Sequence, residues 1–443
     1  MKLNKIAALL AIVGLSTSAF ATNGYFSHGY GMKAKGMGGA ATAMAVDTFG
    51  GANNPASMVW VGNRIDFGAD LFMPKRSVSR QGSAGFGGIY NDSVESDSNL
   101  FLVPEFGYNK MLNSSMSVGV TVYGNGGMNS DYNDSNGIAG TNFNPALCGA
   151  AAANMLFGCG KLGVDLMQLI IAPTFSYKLN ANHSIGISPL FGYQRFKVDG
   201  LQAFTGFSSN PNNVTNKGYD DSTGWGVRIG WLGKLSDTVS VGAAYSSRMH
   251  MSAFDKYKGL FAEGGDFDIP ENYSIGIAVK ATPTLTIAAD IQQINYSRVN
   301  SIANGVSNSL LAPPTDPLGS TNGSGFKWRD QTVFKLGVEH AYSGNLTMRA
   351  GYNYGKSPAR GDTLNDVTFN ILAPGVVEQH LTLGATWTLA NKAELTVSYM
   401  HAFSNSVTGP SVTGLPALLN AAPGTETLKM KQDAIGIADG GKM

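Results

Sequence analysis

Residues 381–389 read Leu-Thr-Leu-Gly-Ala-Thr-Trp-Thr-Leu. Side chains alternate along an extended chain with a period of two. Leu381, Leu383, Ala385, Trp387 and Leu389 therefore share one face, and Thr382, Gly384, Thr386 and Thr388 the other. The first face is wholly apolar. The second is small and uncharged. A soluble sheet turns its second face to water and more often carries charge there. Lipid on one side and a confined lumen on the other account for this composition better.

The same alternation recurs along the chain. In Ser117–Tyr123, Val118, Val120 and Val122 oppose Ser117, Gly119 and Thr121. In Tyr273–Lys280, Tyr273, Ile275, Ile277 and Val279 oppose Ser274, Gly276, Ala278 and Lys280. In Leu346–Tyr354, Leu346, Met348, Ala350, Tyr352 and Tyr354 oppose Thr347, Arg349, Gly351 and Asn353. Six short turns join such runs, at 112–114, 180–182, 236–238, 281–284, 343–345 and 390–392. Each carries turn-forming residues. Seven long polar connections alternate with them, near 75–99, 128–163, 204–222, 255–268, 299–330, 357–378 and 402–428. Short turns at one end and long loops at the other are the outer-membrane barrel pattern. Thirteen connections make fourteen strands, and an even number puts both chain ends on the periplasmic side. The fold read from the sequence is all-β: a fourteen-stranded antiparallel transmembrane β-barrel.

The rest of the composition agrees. The chain has 443 residues with 57 Gly and only 14% charged residues, and its formal net charge of +1 argues against a nucleic-acid partner. Met1–Ala21 has Lys2 and Lys5, an apolar stretch and Ala19-Phe20-Ala21, the layout of a secretory signal peptide. No later stretch is apolar enough over about 18 residues to cross a bilayer as a helix. Tyrosines in or near strands, including Tyr177, Tyr245, Tyr273, Tyr352 and Tyr399, suit interfacial girdles.

Residues 22–62 do not read as wall. They are rich in Gly and Ala and close on Asn53-Asn54-Pro55-Ala56. The division read here is a signal peptide over 1–21, an N-terminal plug or hatch over 22–62 inside the lumen, and the barrel over 63–443. Cys148 and Cys159 share one long loop in an oxidising compartment, so a disulfide is expected. The six histidines show no metal-ligand spacing, and neither a nucleophile elbow nor a phosphate-cradling loop is present. No enzyme, metal site or cofactor is expected. Arg195, Lys197, Arg228, Lys327, Arg329 and Arg349 lie on or near strands. An isolated cation in a small-residue lumen suits a carboxylate head group. The plainer alternative is that each faces solvent or pairs with an acid such as Asp199 or Asp330.

Several motifs carry a family resemblance. They are Gly29–Ala40 (GYGMKAKGMGGA), Asn54-Pro55-Ala56, Val103–Tyr108 (VPEFGY), Gly163–Gln168 (GVDLMQ) and Ser398–His401 (SYMH). In this order the chain resembles the FadL-type outer-membrane transporters of long-chain fatty acids and other hydrophobic molecules. The resemblance implies passive uptake by a monomer. Its partners are a hydrophobic substrate, in first place a long-chain fatty acid and in the alternative an aromatic hydrocarbon or alkane, and the lipid and lipopolysaccharide of the outer membrane. General porin and surface adhesin are the alternatives. It also implies lateral exit through a third strand kinked beside the hatch, for which Gly124, Gly126 and Gly127 are the candidates. Asn54, Pro55 and Ala56 are the hatch side of that gate. Residue by residue, Arg195 on the fifth strand and Lys327 ahead of the tenth are the matching carboxylate ligands. One departure stands out. Ala434–Ala438 begins a last strand that Asp439–Met443 does not complete, so the closing strand is expected to be short.

Overall fold

The computed structural model describes residues 22–85, 88–133, 148, 149, 151–306, 309, 314–411 and 424–443. The expected signal peptide lies outside them. Fourteen strands form the wall: β1 (Arg64–Gly85), β2 (Phe101–Met111), β3 (Met116–Tyr132), β4 (Leu162–Lys178), β5 (His183–Asp199), β6 (Asp220–Lys234), β7 (Val239–Ser246), β8 (Asn272–Thr282), β9 (Leu285–Ile294), β10 (Gln331–Ala341), β11 (Leu346–Gly355), β12 (Gln379–Thr388), β13 (Ala393–Ser411) and β14 (Gly424–Lys442). Each pairs antiparallel with its sequence neighbour, and β14 returns to β1, which closes the ring. A hairpin arm, Gly88–Glu95, continues β1 outward, and the short strand His250–Met251 adds to β6. Among the described residues no helix is long and apolar enough to cross a membrane.

The six short turns fall where the sequence puts them. Two loop boundaries do not. The stretch 75–99 is largely β1 and its hairpin, and much of 402–428 belongs to β13 and β14, because these strands run on beyond the apolar belt. The closing strand is also not short. It begins at Gly424 and pairs with β1 from Gln81↔Thr425 to Arg64↔Lys442. Its inward set includes Glu426, Leu428, Met430 and Gln432, and its outward set Lys429, Lys431 and Asp433. Neither set is uniformly apolar, which hides the alternation.

Outward faces carry the exposed apolar side chains, such as Ile275, Phe334, Leu383 and Ile435, with Tyr245, Tyr273, Tyr352 and Tyr399 among them. Inward faces are small and polar, and the interior gives the reason. Residues 22–62 lie within the ring as a nearly strandless segment, so their backbone groups need partners. The wall supplies them. Ser176 and Ser184 hydroxyls donate to the Ala56 carbonyl, Ser240 to Ala43, Thr121 to Thr48, and Asn353 Nδ2 to Gly38. The Asp290 carboxylate accepts from the Ala41 and Thr42 amides, each at 2.9 Å. At Gly351 a Cβ would overlap the backbone of Met37 and Gly38, so only glycine lets the segment sit this close.

Candidate functional site

Among the described residues the wall splits between β2 and β3. β3 alternates exposed and buried residues only as far as Val122, and Tyr123–Ser130 is buried without interruption. It stays paired with β4 throughout, but with a register shift between Gly124 and Gly126 that leaves Asn125 as a bulge. Bulges bend a strand, and glycines offer no side chain to hold the alternation. β3 thereby leaves β2. Their pairing runs only from Met111↔Ser117 to Phe106↔Val122. β2 continues to Phe101 along β1 alone.

The free edge of β3 is taken by the start of the inner segment. Phe26 bridges Gly126, the Ser27 amide donates to the Asn125 carbonyl (3.2 Å), and the Gly127 amide donates to the Tyr25 carbonyl (3.3 Å). Tyr30 Oη donates toward the Asn125 carbonyl and Oδ1, both at 3.2 Å. A Cβ at Gly126 would overlap the Tyr25 carbonyl oxygen, so this glycine makes room for the latch as well as loosening the strand. The outer end of β3 is tied to the loop after β11. Ser130 Oγ and Tyr132 Oη donate to the Leu372 and Ile371 carbonyls. A small cleft of about 160 Å³ at the outer end of the split is lined by residues including Leu100, Phe101, Asn129 and Lys161.

Behind the latch lies an aromatic layer. The Tyr25 ring centroid is 5.4 Å from Tyr296, 5.9 Å from Trp328 and 6.3 Å from Phe267. Phe261 packs on Phe267 at 4.9 Å and Phe326 on Trp328 at 6.0 Å. Tyr296 Oη donates to the Asn23 carbonyl and Trp328 Nε1 to Asn370 Oδ1, whereas the buried Tyr25 Oη makes no such bond among the described residues. These aromatic side chains come from two outer loops, those after β7 and β9, and from the inner segment, so the layer joins loops to latch.

The remainder of the inner segment is held more firmly. Lys35 Nζ meets Asp70 at 3.0 Å and Glu105 at 3.4 Å, all three buried. Lys33 meets Glu394 at 2.6 Å, and Arg64 bridges Glu394 and Asp66. Asn54 accepts from the Ala56 amide (3.1 Å) and donates to the Thr42 and Trp231 carbonyls (2.8 and 2.9 Å). Pro55 opens a tight turn over Pro55–Ser57, where its missing N–H costs nothing.

The sequence-read site residues therefore do not converge on one point. Asn125 and the glycines Gly124, Gly126 and Gly127 lie at the split. Asn54-Pro55-Ala56 sits against β5 and β6, and Asn54 bonds β6 instead of the kinked strand. Arg195 is on the outward face of β5, beside Asp221 at 3.7 Å and over the Tyr219 ring at 4.0 Å. Gln194 takes the inward place, because the alternation that starts at Ser184 continues unbroken to Val198. Lys327 is paired with Asp366 at 2.6 Å and also reaches Thr363. The two cations thus do not meet. Cys148 and Cys159 are joined by a disulfide in an outer loop. Among the described residues no group of His, Cys, Asp and Glu is arranged to hold a metal. Reading the sequence missed the partners of the split, Tyr25–Ser27 and Tyr30, and the Lys35 triad. Lys33 and Lys35 in a stretch otherwise almost free of charge were the available signal.

The sequence profile of the family described as Outer membrane protein transport protein (OMPP1/FadL/TodX) matches residues 158–434. The fold is similar to that of the Pseudomonas putida toluene transporter TodX, at 17% identity and a TM-score of 0.65, covering 94% of this chain and 99% of that one. It is similar to a Pseudomonas aeruginosa FadL homologue at 15% identity and 0.66, with the same coverage. It is also similar to the Ralstonia pickettii toluene transporter TbuX at 15% identity and 0.58, again over 94% and 99%. No curated protein sequence matches the chain.

Proposed function

The chain belongs to the OMPP1/FadL/TodX family of outer membrane transport proteins, which take up hydrophobic compounds, and from that premise we propose a lateral route through its wall. A hydrophobic compound gathers among the outer loops and passes the aromatic layer of Tyr296, Trp328 and Phe267. It leaves sideways between β2 and β3 when Tyr25–Ser27 withdraw from the β3 edge. Residues 22–62 act as the hatch, and Gly124, Gly126 and Gly127 as the flexible part of the gate. The reading is carried by the split itself: past Val122 β2 no longer pairs with β3, and the latch bonds the β3 edge at Asn125–Gly127, before Arg76, Ser96 and Asp97 meet it further out at Asn129 and Asp131. Apolar cargo suits this exit, because it opens toward lipid and requires no passage through the polar lower hatch.

The substrate we favour is a neutral hydrocarbon such as a monoaromatic. The layer in its path is aromatic, and two structures of the same fold are toluene transporters. The expected carboxylate ligands do not support a fatty acid, since Arg195 faces outward and Lys327 is engaged by Asp366. Arg228 favours a long-chain fatty acid as the second reading. It is inward and buried, and its guanidinium donates to Ser246 Oγ, the Gly51 carbonyl and Tyr123 Oη, all neutral oxygens. Uptake of labelled toluene and of a labelled long-chain fatty acid into proteoliposomes separates the two. Faster toluene entry, unchanged in Arg228→Gln, is the expected result. Fatty-acid entry that collapses in that variant would favour the second reading.

A further inference from the structure

The outward face of the β14–β1 seam carries positive charge that is answered only in part. From the periplasmic end toward the loops, the outward residues of β14 run Ile437, Ile435, Asp433, Lys431, Lys429. On β1, Leu71 lies opposite Ile435 and Lys75 lies directly opposite Lys431. Lys75, Lys429 and Lys431 are all exposed. Directly opposed side chains sit about 5 Å apart at Cβ, and the next outward residue on a strand is about 7 Å further along. Three ammonium groups thus share one small surface, and two of them form a like-charge pair that destabilises the sheet on its own.

The surroundings relieve only part of this charge, through the Asp433 carboxylate, which lies one outward position from Lys431 and interacts with it electrostatically. Among the described residues, none of the three lysines has an ion pair or hydrogen bond. Asp433 is the nearest acid on the strand, but it already accepts from Tyr399 Oη (2.7 Å) and meets His401 Nδ1 at 2.8 Å. Glu95 lies beyond β1, opposite Ser77. Three exposed cations elsewhere on the outer rim do have acids: Lys161 has Asp131, Arg195 has Asp221 and Arg298 has Glu271. The level is also telling. Leu71, Tyr399 and Ile435 belong to the exposed apolar belt, and Lys75 and Lys431 lie four residues further out than Leu71 and Ile435.

We propose that this surface binds a phosphorylated glycolipid of the outer leaflet, with phosphate held between Lys75, Lys431 and Lys429 and acyl chains laid along Leu71, Ile435 and Ile437. A phosphate offers several acceptor oxygens to ammonium donors, and charge-assisted bonds of this kind are the stronger ones. The anionic partner converts the like-charge pair into a clamp across the seam that closes the barrel.

The test compares the thermal unfolding of the full chain in neutral detergent, titrated with bisphosphorylated lipid A or with the same lipid A stripped of phosphate. Wild type is expected to gain stability from the phosphorylated form alone. In Lys75→Gln/Lys429→Gln/Lys431→Gln its apparent affinity is expected to fall about tenfold or more, the order expected for removing several lysines beside an anionic surface. A control pair at the periplasmic end, Lys110→Gln/Lys280→Gln, retains the wild-type response. An equal response to the dephosphorylated lipid, or an unchanged affinity in the triple variant, overturns the proposal. Should the triple variant not fold, Lys431→Gln alone and the wild-type phosphate comparison decide it.

Discussion

Two seams of the wall, separated only by the pair β1 and β2, differ sharply. β1 and β14 pair from Arg64↔Lys442 to Gln81↔Thr425, through the membrane and beyond it. β2 and β3 pair over six residues and then part at Val122. The first seam joins the chain's two ends and has to hold. It has Arg80 and Glu426 as a fully buried ion pair near its outer end. The second lies where Gly124, Gly126 and Gly127 remove the side chains that fix a strand's two faces. Unpaired edge groups of a sheet demand a partner, and here that partner is the start of an irregular segment. A barrel can thus be closed by one strongly paired seam while another parts, and the parted seam is where the side door is proposed.

The hatch repeats the contrast. Its middle and end are fixed by buried ion pairs and by Asn54, whereas Tyr25–Ser27 meets β3 through a few long hydrogen bonds. The largest effect is expected from Lys35→Ala, which leaves Asp70 and Glu105 buried without their cation and costs about 3–5 kcal/mol. The hatch should then loosen as a whole, seen as rapid proteolysis within residues 22–62 and a rise in single-channel conductance. Gly126→Val is expected to cost about 1–3 kcal/mol by overpacking. It should expel the latch and leave the door open, so that uptake of a labelled hydrophobic substrate rises above wild type, while single-channel conductance stays at the wild-type level because the lower hatch is unmoved. Asn54→Ala removes hydrogen bonds worth about 1 kcal/mol each. Hydrogen exchange should quicken at Thr42–Ala56 and leave Tyr25–Ser27 unchanged, which would separate anchor from latch.

The smallest effect concerns the outer cap. Burial, followed by the neighbouring Asp268 carboxylate, pushes Asp266 up to about 7, against the pull of Arg248. A carboxyl raised in the folded state favours that state while protonated, so its contribution is lost as pH rises from the usual carboxylate range through 7. Proteolysis of residues 252–271 should be faster at pH 8 than at pH 5.5 after correction for protease activity. Asp266→Asn should flatten the difference.

Much of this was legible in the sequence because a strand's period of two needs no long-range information. The six turns and fourteen strands follow from it, and so does the glycine run in β3. β14 was under-read because its outer half mixes Lys429, Lys431 and Asp433 outward with Glu426 and Gln432 inward. Arg195 was carried to the wrong face although Ser184, Gly186 and Ser188 already set an inward register that leads to Gln194. The partners of β3 and of Asn54 could not be read at all. They depend on where an irregular 41-residue segment folds back within the ring, and no local pattern encodes that.

The lateral route is tested most directly by tying the latch to its strand. Ser27 and Asn125 are neighbours across the bridge between Phe26 and Gly126. Uptake of a labelled hydrophobic substrate is measured with Ser27→Cys/Asn125→Cys oxidised and then reduced, beside wild type, whose Cys148–Cys159 bond responds to the same treatment. The oxidised variant is predicted to lose most of its uptake and to regain it on reduction, while wild type is indifferent. Equal uptake in the oxidised and reduced variant would contradict a door between β2 and β3.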